Sequence, residues 1–490
     1  MFKRILNNLP EVRGPEKPKL SFKEKLKWTL IILISFFILS TISLYGLGLN
    51  SLEQFEQLSI ILGANFGSIM SLGIGPIVTA SIVLQLLTGS GILKLDMTTK
   101  DGKKTFQGLQ KILALFFIVF EAFIYVFMGG LSPTAIGQTM AGTSTLMTPI
   151  LFTQFQFILV FQLILGGILI MFMDEVITKW GFGSGVSLFI AAGVSQQIFI
   201  RAFSPLTSSG DLAFGTGLPA IGQVWVFLSS LVNVDLQGAA IAFAAILFTF
   251  LVFAFSVYAQ AMKVDIPLSF GRIRGHGIRW PLRFMYTSNI PVILVAALIA
   301  NFQLWARLLQ NKVADTGIAA WISQHILGQF SGNIPTSGLV FWTHSPNIIG
   351  NTVNWFFGAP FNSIELAQAL TYTLFMMAGA VLFSIFWVQT SGMDAKSQAK
   401  QIMSSGLQIP GFRRDQRVLE KVLNRYIMPL TIMGGLAVGL LASLADISGA
   451  LSRGTGILLT VMIVYKLYEE IAQQHMMDMN PAMRKMMGGE

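Results

Sequence analysis

Glu121 stands in the middle of an apolar run, LFFIVFEAFIYVF. A carboxylate at that depth has no water around it, and ionisable groups inside membranes mark pathways, relays or gates. Thr79, Gln85 and Asn301 sit inside other apolar runs and are its candidate partners. No basic residue lies at a matching depth, so any relay would have to run through hydroxyls and amides. Asp174, Glu175, Lys466, Glu469 and Glu470 fall at the ends of apolar runs, where snorkelling to the interface accounts for them.

A second group of residues suits anions. Arg272, Arg274 and Arg279 are interspersed with glycines in KVDIPLSFGRIRGHGIRWPLRF, which reads as a tight exposed turn. Arg413 and Arg414 precede Asp415 in GLQIPGFRRDQRVLEKVLNRY. Asp415 is placed to cap an amphipathic helix with Val418, Leu419 and Val422 on one face. Arginine clusters of this kind suit phosphate backbones, RNA included, with strong salt dependence. Basic loops on one side also follow from membrane topology alone.

Other chemistry finds no residues. There is no nucleotide loop, nucleophile elbow or zincin motif, so no catalytic residue is expected. Cysteine is absent, which excludes disulfides, thiolate catalysis and thiolate metal sites. His276, His325, His344 and His475 show no ligand spacing, so neither metal nor cofactor is expected.

The elements that must position these groups are membrane helices. The chain is 53% hydrophobic and 11% charged, with a mean hydropathy of +0.66. A soluble domain carries about twice that charged fraction. A span needs about 20 apolar residues, and hydropathy marks ten candidates. They are roughly Trp28–Leu47, Gly73–Gly89 (with 57–70 as a half-helix before it), Phe106–Gly129, Phe152–Asp174, Gly183–Phe203, Gly238–Met262, Tyr286–Leu309, Ile364–Gln389, Tyr426–Asp446 and Gly454–His475. The basic N-terminal segment runs to Lys27 and leads into a full-length span, so no cleavable signal is expected.

With the N-terminus inside, 29 of the 33 Lys and Arg fall in inside segments, leaving Arg201, Arg307, Lys312 and Arg453 outside. The positive-inside rule therefore places both ends in the cytoplasm. Ten spans divide into two halves of five, the second inverted. Pro76 in span two and Pro291 in span seven interrupt corresponding helices, as inverted repeats around a central pathway do. The strongest interruption is GANFGSIMSLGIGPIVTASIVLQLLTG, Gly63 to Gly89. Broken backbone at membrane depth survives only where protein or a wet cavity satisfies it, so this break should face the bundle interior. The outside segments are Gly48–Leu72, Gly130–Leu151, Ser204–Gln237, Gln310–Ser363 and Ile447–Arg453. Two apolar stretches in them, Thr316–Leu327 and Ile221–Val232, are too short to span.

Six stretches in order resemble the SecY family, the large subunit of the protein-conducting translocon, in its archaeal and eukaryotic branch. They are LPEVRGPEKPKLSFKEKLKWT, LGIGPIVTASIVLQLL, GSGVSLFIAAGVSQ, SNIPVILVAALIANFQLW, IPGFRRD and GTGILLTVMIVYKLYEE. The resemblance implies an all-α polytopic membrane protein in the cell membrane: two inverted five-helix halves around an hourglass pore. It implies residues 28–203 as the first half, 204–237 as an external loop and 238–475 as the second half. Loops 263–285 and 390–425 would be cytoplasmic, 310–363 external, and 1–27 and 476–490 cytoplasmic ends.

Carried over by motif, the pore ring resembles Ile74, Val78, Val186, Ile190, Ile293 and Leu459. The plug resembles roughly Phe55–Ile69, with Phe55, Leu58, Ile61, Leu62, Gly63, Phe66 and Gly67. Thr79, Glu121 and Asn301 match the lateral gate's polar cluster. Arg272, Arg274, Arg279, Arg413 and Arg414 match loops that dock ribosomes. The implied function is translocation of unfolded secretory polypeptides, with lateral release of hydrophobic segments into lipid. The implied partners are small single-span subunits of the SecE or gamma type and the beta type, the ribosome with its rRNA, nascent signal-bearing polypeptides and the bilayer. Gln310–Ser363 is longer than the family pattern leads one to expect. The rival reading is an inverted-repeat secondary transporter for a small solute, which would place convergent polar groups at the midplane. A scaffold subunit without transport gives no reason for the glycine-broken segment.

Overall fold

The computed structural model describes residues 10–479 apart from 17–19, 51–63, 90–91, 94, 96–98, 135, 139–143, 147–148, 208–210, 214–217, 271–276, 288–289, 313–320, 332–333, 361, 405–406, 409–414 and 453. Helices dominate because backbone buried in hydrocarbon must bond within its own segment. In chain order they begin with α1 (Phe22–Thr41), α2 (Gly75–Gly89), α3 (Lys100–Phe127), α4 (Pro149–Trp180) and α5 (Gly185–Phe203). The short α6 (Gln223–Val232) follows, then α7 (Leu236–Ala261) and α8 (Ile290–Lys312). Two short helices, α9 (Gly338–Trp342) and α10 (Ile348–Phe356), precede α11 (Ser363–Thr390), α12 (Ala395–Ser404), α13 (Gln416–Ile447) and α14 (Gly454–Met479). Among the described residues, seven helices are long and apolar enough to cross a membrane: α3, α4, α5, α7, α8, α11 and α13. The other three expected spans fall on α1, α2 and α14.

Local chemistry moves several boundaries. Span one is expected at Trp28–Leu47, yet α1 starts at Phe22 because Ser21 and Glu24 form a reciprocal capping box. Beyond Thr41 the chain turns into β1 (Leu47–Asn50), which pairs with β2 (Leu131–Pro133). α13 begins ten residues before the expected Tyr426. Asp415 caps it by accepting the Arg417 N–H at 2.9 Å, and its buried face carries Leu419, Leu423, Ile427 and Leu430.

The tight turn expected around the loop arginines falls on 271–276, outside the described residues, and the strands on either side of it pair. β5 (Lys263–Phe270) pairs antiparallel with β6 (Gly277–Arg283), and β9 (Leu407–Gln408) adds to β5 at Ser269 and Phe270. Two small hairpins, β3 (Ile136–Gln138) with β4 (Ser144–Leu146) and β7 (Phe330–Ser331) with β8 (Ile334–Pro335), lie in the connectors. The long 310–363 connector holds a π-helix at Ile322–Leu327 besides β7, β8, α9 and α10.

α2 packs against α3, α8 and α11, while α5 and α7 both pack against α14. The largest core cluster draws on α1, α2, α3, α4, α5, α7, α8, α11, α13 and α14. The beginning of the chain is sewn to this bundle. Lys179 donates to the Glu11 carboxylate (2.5 Å) and the Val12 carbonyl (2.6 Å), and Trp180 Nε1 to the Arg13 carbonyl (2.9 Å). Lys25 donates to Gln474 (2.9 Å), whose amide donates to the Leu20 carbonyl (2.7 Å).

Candidate functional site: an aliphatic constriction beside a polar seam

The six aliphatic residues singled out in the sequence meet in one cluster. Ile74, Val78, Ile190, Ile293 and Leu459 are buried members, and Val186 is half-buried against them. They arrive from α2 and the turn before it, α5, α8 and α14. Gly73, with φ +54°, lets the chain turn into α2 directly before Ile74. The break in the Gly63–Gly89 stretch thus faces the bundle interior: Met70, Leu72 and Ile74 are all at most 1% exposed.

A cavity of about 450 Å³ ends on this cluster, with Val78, Val186 and Ile293 in its wall. The rest of its lining is amphipathic, including Ser81, Gln110, Lys103, Lys466 and Glu470. Aliphatic side chains offer nothing to coordinate an ion or hold water, so a narrow waist made of them resists wetting.

Beside the waist runs a polar seam between α2, α3 and α8. Asn301 Nδ2 donates to Thr79 Oγ1 at 3.0 Å. Thr79 Oγ1 lies 3.4 Å from Glu121 Oε1 and 2.8 Å from the Gly75 carbonyl. All three side chains are buried. Among the described residues Glu121 Oε2 has no hydrogen-bond partner. Gln85 is buried on α2 and lines the cavity rather than joining this seam.

Of the plug residues, Phe55, Leu58, Ile61, Leu62 and Gly63 lie outside the described residues. The described part, Ala64–Ile69, forms turns rather than helix. Phe66 packs its ring 6.3 Å from that of Tyr125 on α3. Gly67, with φ +97°, donates its N–H to Ser71 Oγ at 2.9 Å and accepts the Leu44 N–H at 2.9 Å. Arg272, Arg274, Arg413 and Arg414 also lie outside the described residues. Arg279 is on β6, opposite Pro267 of β5.

Two aspartates carry more than their sequence positions suggest. Asp174, expected to snorkel at a span end, instead accepts the Val186 N–H at 2.9 Å and lines the cavity. Asp446, at the end of α13, is buried and accepts the Thr455 N–H at 2.7 Å. Glu175 bridges Lys111 at 2.9 Å and Lys179 at 3.0 Å. Arg283, closing the hairpin, pairs with Glu469 of α14.

Apolar helices long enough to cross a membrane, around a buried aliphatic cluster with a cavity beside it, define a multi-pass membrane protein. The SecY family model matches residues 68–468, and the chain belongs to the SecY family. It is 44% identical over 491 residues to the protein translocase subunit SecY of Methanothermobacter thermautotrophicus, covering 99% of this chain and 98% of that one. It is 40% identical to the SecY of Methanococcus vannielii, covering 99% of each. Among solved structures, one described as a protein conducting channel superposes with TM-score 0.77 at 39% identity, covering 98% of this chain and 99% of that one. Sec61 in the canine ribosome-channel complex superposes with TM-score 0.74 at 39% identity and the same coverage.

Proposed function

We propose that this protein is the pore-forming subunit of a protein-conducting channel that passes unfolded polypeptides across the membrane and releases apolar segments sideways into lipid. The observation that carries it is the gathering of Ile74, Val78, Val186, Ile190, Ile293 and Leu459 in one cluster, with Val78, Val186 and Ile293 in the wall of a cavity. A greasy ring yields around any side chain without asking for a specific contact. A solute carrier instead needs convergent polar groups at that depth, and these positions are aliphatic. No chemical step is required, and drive comes from a ribosome or motor. The test is reconstitution into vesicles with single-span partner subunits, reading protease protection of a signal-bearing precursor. Protection no greater than in protein-free vesicles would refute the assignment.

In this reading α1, α2, α3, α4, α5, α7, α8, α11, α13 and α14 are ten spans in two inverted halves, with both termini cytoplasmic. Residues 55–69 are the plug, and residues 263–285 and 390–425 are the cytoplasmic docking loops. The exposed apolar side chains of α7, Phe250, Phe253 and Phe255 among them, suit lipid or single-span partner subunits.

The canine relative is seen with a ribosome, and the arginine loops suit the same partner here. Reversing charge at Arg274 or Arg413 should weaken ribosome binding and flatten its salt dependence, each lost phosphate contact removing roughly one unit from the salt slope. Sedimentation of ribosomes with vesicles at two salt concentrations reads this. Unchanged affinity in both variants would return those arginines to topology alone.

The polar seam is the proposed lateral gate, since it joins α2 and α3 of the first half to α8 of the second. Thr79→Val removes the acceptor of Asn301 and the neighbour of Glu121, leaving two buried polar groups unpaired at about 1–3 kcal/mol each. The closed state loses that energy, so less hydrophobic segments should exit into lipid. An insertion assay over segments of graded leucine content checks it. A threshold identical to the parent's would mean that these three side chains do not lie between moving parts.

A further inference from the structure

We infer that Asp174 and Asp446 are a matched pair of positioning residues that set the pore ring from opposite membrane faces. Each holds the start of the helix that follows it and that carries ring residues. Asp174 of α4 accepts the N–H of Val186, itself a ring residue, at 2.9 Å. Asp446 of α13 accepts the N–H of Thr455 at 2.7 Å, and its second oxygen accepts the hydroxyls of Thr455 and of Tyr372 on α11. A carboxylate at a helix start satisfies orphan N–H groups and complements the helix dipole.

The two sites repeat in position. Gly185-Val186 opens α5 and Gly454-Thr455 opens α14, and in each the aspartate accepts the second N–H of the helix. In both, the helix start comes so close to its aspartate's helix that a side chain is excluded. A Cβ on Gly185 would lie 2.5 Å from Asp174 Cα, and one on Gly454 would lie 2.1 Å from the Ala445 carbonyl carbon. α4 and α5 are the fourth and fifth spans of the first half, α13 and α14 those of the second. The clasp is therefore one device present twice, once in each orientation.

Their reach extends to the ring. α5 and α14 run in opposite directions, with Gly183 against Glu470 and Gly456 against Val194. Val194 lies four residues beyond Ile190, and Gly456 three residues before Leu459. At about 1.5 Å rise per residue, Ile190 and Leu459 therefore stand level to within about 1.5 Å. Leu459 is about 6 Å of helix from Thr455, and Ile190 about 6 Å from Val186. An axial slip at either clasp reaches the ring undiminished over so short a lever.

The Asp446 clasp is sunk in the bundle. Ser448, Leu451 and Ser452 of the following turn are buried. The Leu451 N–H donates to Thr249 Oγ1 of α7 at 3.0 Å, and its carbonyl accepts from Arg201 of α5 at 3.4 Å. Of the segment read from sequence as an outside loop, Ile447–Arg453, the described residues Ser448, Leu451 and Ser452 are thus seated among spans of both halves.

This inference rests on the ring reading, and the experiment separates the two. The chain has no cysteine, so a single Ile190→Cys or Leu459→Cys reports alone. In the assembled membrane complex, Asp446→Ala should change the labelling rate of Leu459→Cys by a water-soluble maleimide and leave Ile190→Cys as it was. Asp174→Ala should do the reverse. In the cysteine-free background each alanine variant should raise resting ion conductance by about tenfold, the scale of a two-state shift on losing a charge-assisted hydrogen bond.

Asp174→Asn and Asp446→Asn keep a carbonyl acceptor for the N–H and should restore both readouts. Should an alanine variant fail to accumulate, Asp174→Ser and Asp446→Ser cut the same bonds with a polar residue too short to reach. Parental labelling and conductance in folded variants would overturn the inference, leaving the clasps as mere supports. Asparagine variants that behave like alanine would overturn it equally. If polar substitution of the ring itself gives no conductance, the ring reading fails instead.

Discussion

Ile74→Asn combined with Ile293→Asn gives a resting protein that leaks ions, with planar-bilayer conductance about tenfold or more above the parent. The two side chains come from opposite halves and are at most 5% exposed within the same cluster. An ion entering an aliphatic waist loses its hydration shell, and the idealised cost of that transfer is of order 20 kcal/mol. Amide groups on two sides hold water in the waist and lower that barrier steeply. Val78→Asn should act in the same direction, because Val78 also forms the wall of the cavity. Conductance at background for all three substitutions would remove the ring from these positions.

Gly166→Val should be the most damaging glycine substitution on α4. A Cβ there would lie 1.9 Å from the backbone oxygen of Ile69. That oxygen cannot rotate aside as a side chain would. Its segment is also held by the Leu44 N–H on the Gly67 carbonyl and the Ile69 N–H on the Ile42 carbonyl. Overpacking of this kind costs about 1–3 kcal/mol and often more when backbone must shift. The displaced segment runs within five residues into Ile74, so a thermal-unfolding loss should come with resting leak. Gly14→Val is the control, since a Cβ there meets nothing within 4 Å. A Gly166→Val protein as stable as that control would show that the turn is freely displaced.

Much of this was legible in the chain. The glycines and Pro76 told that the Gly63–Gly89 stretch breaks and faces inward, and Gly73 with φ +54° and the buried Ile74 show how. The six aliphatic positions were named only through the family resemblance, and they lie in one cluster. Asp415 announced a helix start. The β5–β6 hairpin was not legible. Its strands are interrupted by Pro267 and Pro281, and the glycines between them break any periodicity. Hydropathy likewise stopped short on α13, whose first turns are amphipathic and packed on α12. The clasp residues escaped because a carboxylate at a span end looks alike whether it snorkels or caps. Only the distance to Val186 or Thr455 tells them apart.

The stitching of the N-terminal segment to α14 has a consequence for how the protein is made. The contacts of Gln474 with Lys25 and Leu20 join residues 449 and 454 positions apart. A ribosome delivers the first of these positions long before the other. During that interval α1 has α4 and α5 to lean on, yet its N-terminal end waits for α14. The seam is therefore a late event in biogenesis, and a protease that reaches the N-terminal segment of nascent chains, but not of finished ones, would time its closure.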